Sequence, residues 1–88
     1  MSVTVIVPGQ LHSYTGGQSR LAATGRTLGA VLDDLDRQYP GLRFRVVDEQ
    51  GAIRPHVRFY INRAPALRLA AALKPDDEVL VVGALSGG

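Results

Sequence analysis

The chain opens with Val3, Thr4, Val5, Ile6 and Val7, an unbroken β-branched run that stops at Pro8-Gly9. β-Branched side chains suit the pleated, extended backbone and Pro-Gly cannot continue it, so the run predicts a strand followed by a turn. Gly16-Gly17 marks a second turn, after which residues 18–23 can pair back as a hairpin partner. The period then changes. Leu28, Val31, Leu32, Leu35 and Tyr39 fall at i, i+3, i+4, i+7 and i+11, one apolar face of a helix. Thr27 suits the N-cap of that helix, and Pro40-Gly41 ends it. The opposite face carries Asp33, Asp34, Asp36, Arg37 and Gln38. Asp33 and Arg37 have the spacing of an i, i+4 ion pair, and the run predicts a solvated face rather than a catalytic carboxylate pair.

Residues 42–56 read as a long connection with a turn at Gln50-Gly51 and a short strand at residues 44–47. Val57, Phe59 and Ile61 alternate with Arg58, Tyr60 and Asn62, the period of a strand with one buried face, Phe59 being a core residue. A turn at Arg63-Ala64-Pro65 and a short helical turn over residues 69–73 are expected next. Residues 78–82 are apolar at both parities, which predicts a central strand covered on each side. The order is ββαββ. The valine-rich first and last strands are expected as neighbours in mid-sheet, parallel if the crossover is right-handed.

At 88 residues, with 45% hydrophobic and 20% charged, the chain predicts one domain with a packed core. It contains no cysteine, which excludes disulfides, thiolate-held clusters and a thiol nucleophile. No apolar stretch approaches the roughly 20 residues that span a bilayer. Met1-Ser2-Val3-Thr4 lacks the pattern of a secretory signal, so no membrane association and a cytoplasmic location are expected. The net charge is only +2, but six arginines lie between Arg43 and Arg68 against Asp48 and Glu49. Without interleaved aromatics or a helix-turn-helix, they read first as a solvated surface, then as a docking surface for an acidic protein, and last as a nucleic-acid site. His12 and His56 are far apart with no spaced carboxylates, so no metal site is expected. Ser13, Ser19 and Ser86 sit in no nucleophile motif, and Gly16, Gly17, Gly25 and Gly29 in no phosphate loop. Tyr14 and Tyr60 are either packed or exposed on a binding face.

The candidate chemistry lies at the end of the sequence, where Ser86-Gly87-Gly88 follows the apolar run closely. The expected division is a body over residues 1–83 and a tail over residues 84–88. Glycine has no Cβ, so such a tail can thread a narrow site and present the Gly88 carboxylate there. A free carboxylate is a poor electrophile; once adenylated, it can be attacked by sulfur, nitrogen or oxygen. Leu85, an apolar residue in an otherwise small tail, reads either as an anchor in a partner's groove or as packing against the sheet edge. A frayed end or the start of a linker is the alternative reading of the diglycine.

The helix segment Thr27 to Leu35 and its continuation Tyr39-Pro40-Gly41-Leu42, the strand Val57 to Asn62, the acidic turn Lys74-Pro75-Asp76-Asp77-Glu78-Val79 and the terminal Gly87-Gly88 together resemble the β-grasp sulfur carriers of the MoaD/ThiS family. The likeness covers nearly the whole chain. It implies an α+β, ubiquitin-like β-grasp fold, a mixed sheet of four or five strands with one main helix across it. It also implies that the protein is no enzyme and binds no cofactor. An adenylating partner would use ATP to activate the Gly88 carboxylate, a sulfur donor would convert it to a thiocarboxylate, and a sulfur-accepting synthase would receive the sulfur. Gly87, Ser86 and Leu85 would lie in the partners' channels. Pro75 before the acidic turn and Gly83-Ala84-Leu85-Ser86 before the diglycine depart from the family pattern. The length of residues 41–56 and Arg54-Pro55-His56-Val57 resemble the carriers of cysteine or molybdopterin synthesis more than those of thiamin synthesis. Two alternatives share the fold: a ubiquitin-like modifier conjugated to lysine, and a non-reactive interaction domain.

Overall fold

In the computed structural model, which describes residues 2–83, the valine-rich first and last strands meet in the middle of one sheet. Strand β1 (Val3–Ile6) pairs antiparallel with β2 (Arg20–Ala23) and parallel with β5 (Glu78–Gly83). On its other side β5 runs antiparallel to β3 (Val57–Ile61), which carries the short edge strand β4 (Ala64–Ala66). The resulting five-stranded order is β2-β1-β5-β3-β4. Between β1 and β2 the expected simple turn is a 3-10 turn (Gly9–Leu11) running into a short helix, α1 (His12–Thr15), because Leu11 is drawn into the core and Thr15 is buried with it.

The main helix, α2 (Leu28–Gln38), has the bounds its periodicity predicts. Leu28, Val31, Leu32 and Leu35 are buried against Val3, Val5, Val79, Val81 and Phe59 of the sheet, with Tyr39 partly covered at the end. Thr27 Oγ1 accepts from Ala30 N at 3.1 Å, the N-cap bond that its residue type offers. Gly25 lies so close to this helix that a Cβ would come within 2.7 Å of Val31 N, so only glycine fits.

Several local expectations are corrected. Residues 44–47 are not a strand: Leu42–Val46 forms a helix, α3, because Leu42 and Val46 at i, i+4 can then both be buried while Phe44 turns outward. Residues 69–73 are not helical. Their carbonyls face the first turn of α2, where Leu28 N donates to Ala71 O at 3.0 Å and Gly29 N to Leu69 O at 2.8 Å. The unpaired N–H groups of a helix start thus find backbone partners there. The turn expected at Arg63-Ala64-Pro65 falls one residue earlier, on Asn62 and Arg63, which leaves residues 64–66 to form β4. Arg37 does not pair with Asp33. It donates to Asp34 Oδ1 at 3.1 Å, while Asp33 Oδ1 lies 3.0 Å from Arg43 Nε on α3.

The acidic helix face is also less solvated than its pattern suggests. Asp34 accepts from Thr24 N and Gln38 Nε2 at 3.0 Å, and Asp36 Oδ1 accepts from Gly41 N and Arg43 N at 3.1 Å. These carboxylates tie α2 to the end of β2 and to the turn before α3. The Thr24 amide, more than any other group, holds the Asp34 carboxyl below the usual carboxylate range. Among the described residues no helix is long and apolar enough to cross a membrane.

Candidate functional site

Gly88, Gly87, Ser86 and Leu85, and with them the whole tail over residues 84–88, lie outside the described residues. What the structure gives is the strand that leads to them. β5 is paired with β1 over residues 78–80 and with β3 over residues 79–83, so its first half is held by two ladders and its last residues, up to Gly83, by β3 alone. Val79 and Val81 point into the core. Leu80 and Val82 do not: they are 36% and 43% exposed, so the strand expected to be covered on both faces is open on one. The helices pack on a single side of the sheet, and nothing among the described residues covers the other.

The register assembles that open face. Ile6 of β1 stands opposite Leu80 of β5, Leu80 opposite Tyr60 of β3, and Tyr60 opposite Pro65 of β4, with Arg20 of β2 beside Ile6. This gives an apolar row across the sheet, extended toward the C-terminal end of β5 by Val82, whose neighbour is Arg58. Each residue is the solvent-side member of an alternating strand. Tyr60, Arg63, Glu78 and Leu80 line a shallow cleft of about 280 Å³ on this face. Arg20 lies 3.8 Å from Glu78, an exposed pair of little energetic weight.

The base of the face is fastened by one hydrogen-bond network. Asn62 Nδ2 donates to Asp77 Oδ1 at 2.8 Å, Glu78 N donates to Asn62 Oδ1 at 2.9 Å, and Lys74 N donates to Asp77 Oδ2 at 2.8 Å. The Lys74 amide first, and the Asn62 side chain second, hold the Asp77 carboxyl below its usual range. The acidic turn and the terminal Asn of β3 are thus parts of one device that sets the start of β5.

The remaining sequence candidates separate. Tyr60 belongs to the open face, whereas Tyr14 packs at the core edge on the helix side, over Gly41. The arginine-rich segment does not form one patch: Arg43 pairs with Asp33, Arg54 stacks on Phe44 at 4.6 Å, and Arg58 and Arg63 border the open face. Sequence reading also missed the contact of His12 Nε2 with Ser19 Oγ at 3.1 Å. It closes the loop between β1 and β2, and no carboxylate among the described residues hydrogen-bonds the imidazole to make it a general base. Among the described residues no group of three or more His, Asp or Glu side chains could hold a metal ion. A groove of about 530 Å³ beside β4, lined by Ile61, Ala66 and Ala71, has Arg68 as its only ionisable side chain.

A mixed five-stranded sheet with its last strand at the centre and one main helix across a single face defines a ubiquitin-like β-grasp domain. The chain belongs to the ThiS family, which it matches over residues 5–88. It is similar to the sulfur carrier protein CysO of Mycobacterium tuberculosis, with 38% identity over 93 residues and the whole of both chains covered. The crystal structure of Mycobacterium tuberculosis CysO superposes with a TM-score of 0.88, at 37% identity, over 93% of this chain and 98% of that one. A crystal structure of the Amycolatopsis orientalis BexX/CysO complex matches with a TM-score of 0.89, at 29% identity, over 98% and 99%. Small archaeal modifier protein 3 of Haloferax volcanii is 37% identical over 65 residues, 70% of each chain.

Proposed function

We propose that this ThiS-family protein is a cytoplasmic sulfur carrier of the cysteine-synthesis type, the substrate of its partner enzymes rather than a catalyst. The observation that carries the reading is the end-to-end likeness to a sulfur carrier protein, in sequence and in fold. The carboxylate of Gly88 attacks the α-phosphorus of ATP in an adenylating enzyme and releases pyrophosphate. A sulfide-level nucleophile then displaces AMP from the acyl carbon, and the thiocarboxylate that results carries the sulfur to an accepting enzyme. A Cys-free chain suits this cycle, because it has no side-chain thiol to compete for the activated carbonyl.

The geometry supports a division of labour. The open row Ile6, Leu80, Tyr60 and Pro65 supplies an apolar surface on which the adenylating enzyme docks, and the residues that follow β5 in sequence enter the enzyme's channel. Leu85 and Ser86 line the entry and Gly87 the narrowest part.

Deleting Gly88 should leave the thermal midpoint nearly unchanged, because a residue beyond the last strand without a side chain buries little. The same deletion should abolish ATP-dependent modification. Intact-protein mass spectrometry after incubation with the cognate adenylating enzyme, ATP and sulfide should show one oxygen exchanged for sulfur, placed by fragmentation on the last residue of the wild type only. If the wild type gives neither acyl-adenylate nor thiocarboxylate while the tailless form keeps its cellular partners, the interaction-domain reading replaces this one. The likeness to a small archaeal modifier supports conjugation to lysine as a second use of the same activated terminus. Isopeptide-linked ladders in cells would reveal it.

A further inference from the structure

The β3–β4 hairpin turns on Asn62 and Arg63, whose φ angles are 49° and 74°. Ile61 pairs with Ala64 across this two-residue loop, and positive φ at both central positions is the backbone of a type I′ turn, for which Asn-Gly is the favoured sequence. Asn62 suits the first position, and both polar atoms of its side chain are engaged, Nδ2 with Asp77 and Oδ1 with the Glu78 amide. Arg63 does not suit the second. A side chain with a Cβ is strained in the left-handed region, and such strain persists where something other than stability holds the residue.

Nothing among the described residues supplies that reason. Of the arginines bordering the open face, Arg20 lies against Glu78, and Arg58 Nη1 donates to the carbonyls of Pro55 at 2.7 Å and Val57 at 3.1 Å. Arg63 has no ion-pair or side-chain hydrogen-bond partner among the described residues. Its side chain lines the cleft formed with Tyr60, Glu78 and Leu80, at the edge of the apolar row.

We propose that Arg63 is a specificity-determining residue of the docking face: its guanidinium pairs with a carboxylate of the adenylating enzyme at the rim of the apolar contact. The inference rests on the reading that this face docks on that enzyme. A guanidinium beside Tyr60 and Leu80 is partly shielded from water once a partner covers the row, and its planar fork matches a carboxylate. Glycine would relax the turn and delete the charge, so the stability of the free domain and the affinity of the complex pull in opposite directions at this position.

Arg63→Gly, Arg63→Lys and, as a control on the helix side, Arg37→Ala are compared with the wild type. Thermal midpoints are measured together with kcat/KM for pyrophosphate exchange by the cognate adenylating enzyme across a salt series. Arg63→Gly should raise the midpoint and lower kcat/KM about tenfold at low ionic strength, with the gap closing as salt is added. Arg63→Lys should keep the wild-type midpoint and lie between the two in kcat/KM, and Arg37→Ala should match the wild type in exchange. If Arg63→Gly lowers the midpoint, or is adenylated as efficiently as the wild type at low salt, the inference about Arg63 is overturned and the carrier reading stands. If the wild type itself supports no exchange, both fall.

Discussion

Asp77 shows how much one side chain can organise at a solvent-exposed position. Its carboxylate receives the Lys74 amide and the Asn62 side chain, and through Asn62 it fixes the first residue of β5. Its folded-state pKa lies below the ordinary value of 3.8, chiefly because of the Lys74 amide. A carboxyl with a depressed folded pKa stabilises the fold above its unfolded pKa, and that contribution is lost as pH falls through the folded value. Asp34 and Asp48 are shifted in the same direction, mainly by the amides of Thr24 and Ala52. The thermal midpoint followed by circular dichroism should therefore hold steady down to about pH 4 and decline below it. Asp77→Asn should start from a lower midpoint at neutral pH and decline less on acidification. An identical acid profile in the variant would show that the network does not stabilise the fold. The acidic turn was legible in the sequence as a turn, but its bond to Asn62 was not, since 15 residues separate the partners.

At the scale of elements, α2 was read correctly because its apolar period and its N-cap agree with its tertiary surroundings. Leu32 is 1% exposed at the centre of the helix–sheet contact. Leu32→Ala should cost about 2–5 kcal/mol in denaturant unfolding, and a loss within about 0.5 kcal/mol, the usual range for surface sites, would contradict the packing. The elements read wrongly are the short ones. Residues 44–47 contain β-branched and aromatic side chains that suit a strand, yet the gain from burying Leu42 and Val46 together outweighs that weak local preference. Residues 69–73 carry an alanine run that suits a helix, yet the unpaired amides of Leu28 and Gly29 recruit their carbonyls. In both cases a contact distant in sequence decides between local conformations of similar energy.

For the whole molecule, the fold separates two surfaces with different duties. The helices close one side of the sheet, and the other presents Ile6, Leu80, Tyr60 and Pro65 in a row with arginines at its margin. The six arginines between residues 43 and 68 are dispersed over α3, its following loop, the open face and, for Arg68, the groove beside β4, so no basic stripe or base-stacking platform forms among the described residues. Labelled single- and double-stranded oligonucleotides should accordingly show no submicromolar binding by fluorescence anisotropy at physiological salt. Tight binding that weakens steeply with added salt would overturn this assignment of the arginines.

The sequence alone determined the order of the principal elements, the buried face of α2 and the resemblance that points to Gly88. These follow from periodicity, capping and terminal composition, all of which act over a few residues. Only the tertiary structure decided which side of β5 stays open, because valine and leucine look alike in sequence whether a helix covers them or a partner is to do so. It also decided that Arg63 occupies a glycine-favouring turn position at the edge of that open row, since turn register depends on where β4 pairs with β3. Strand pairing and the placement of helices on one face join residues far apart in the chain, and local pattern carries no record of them.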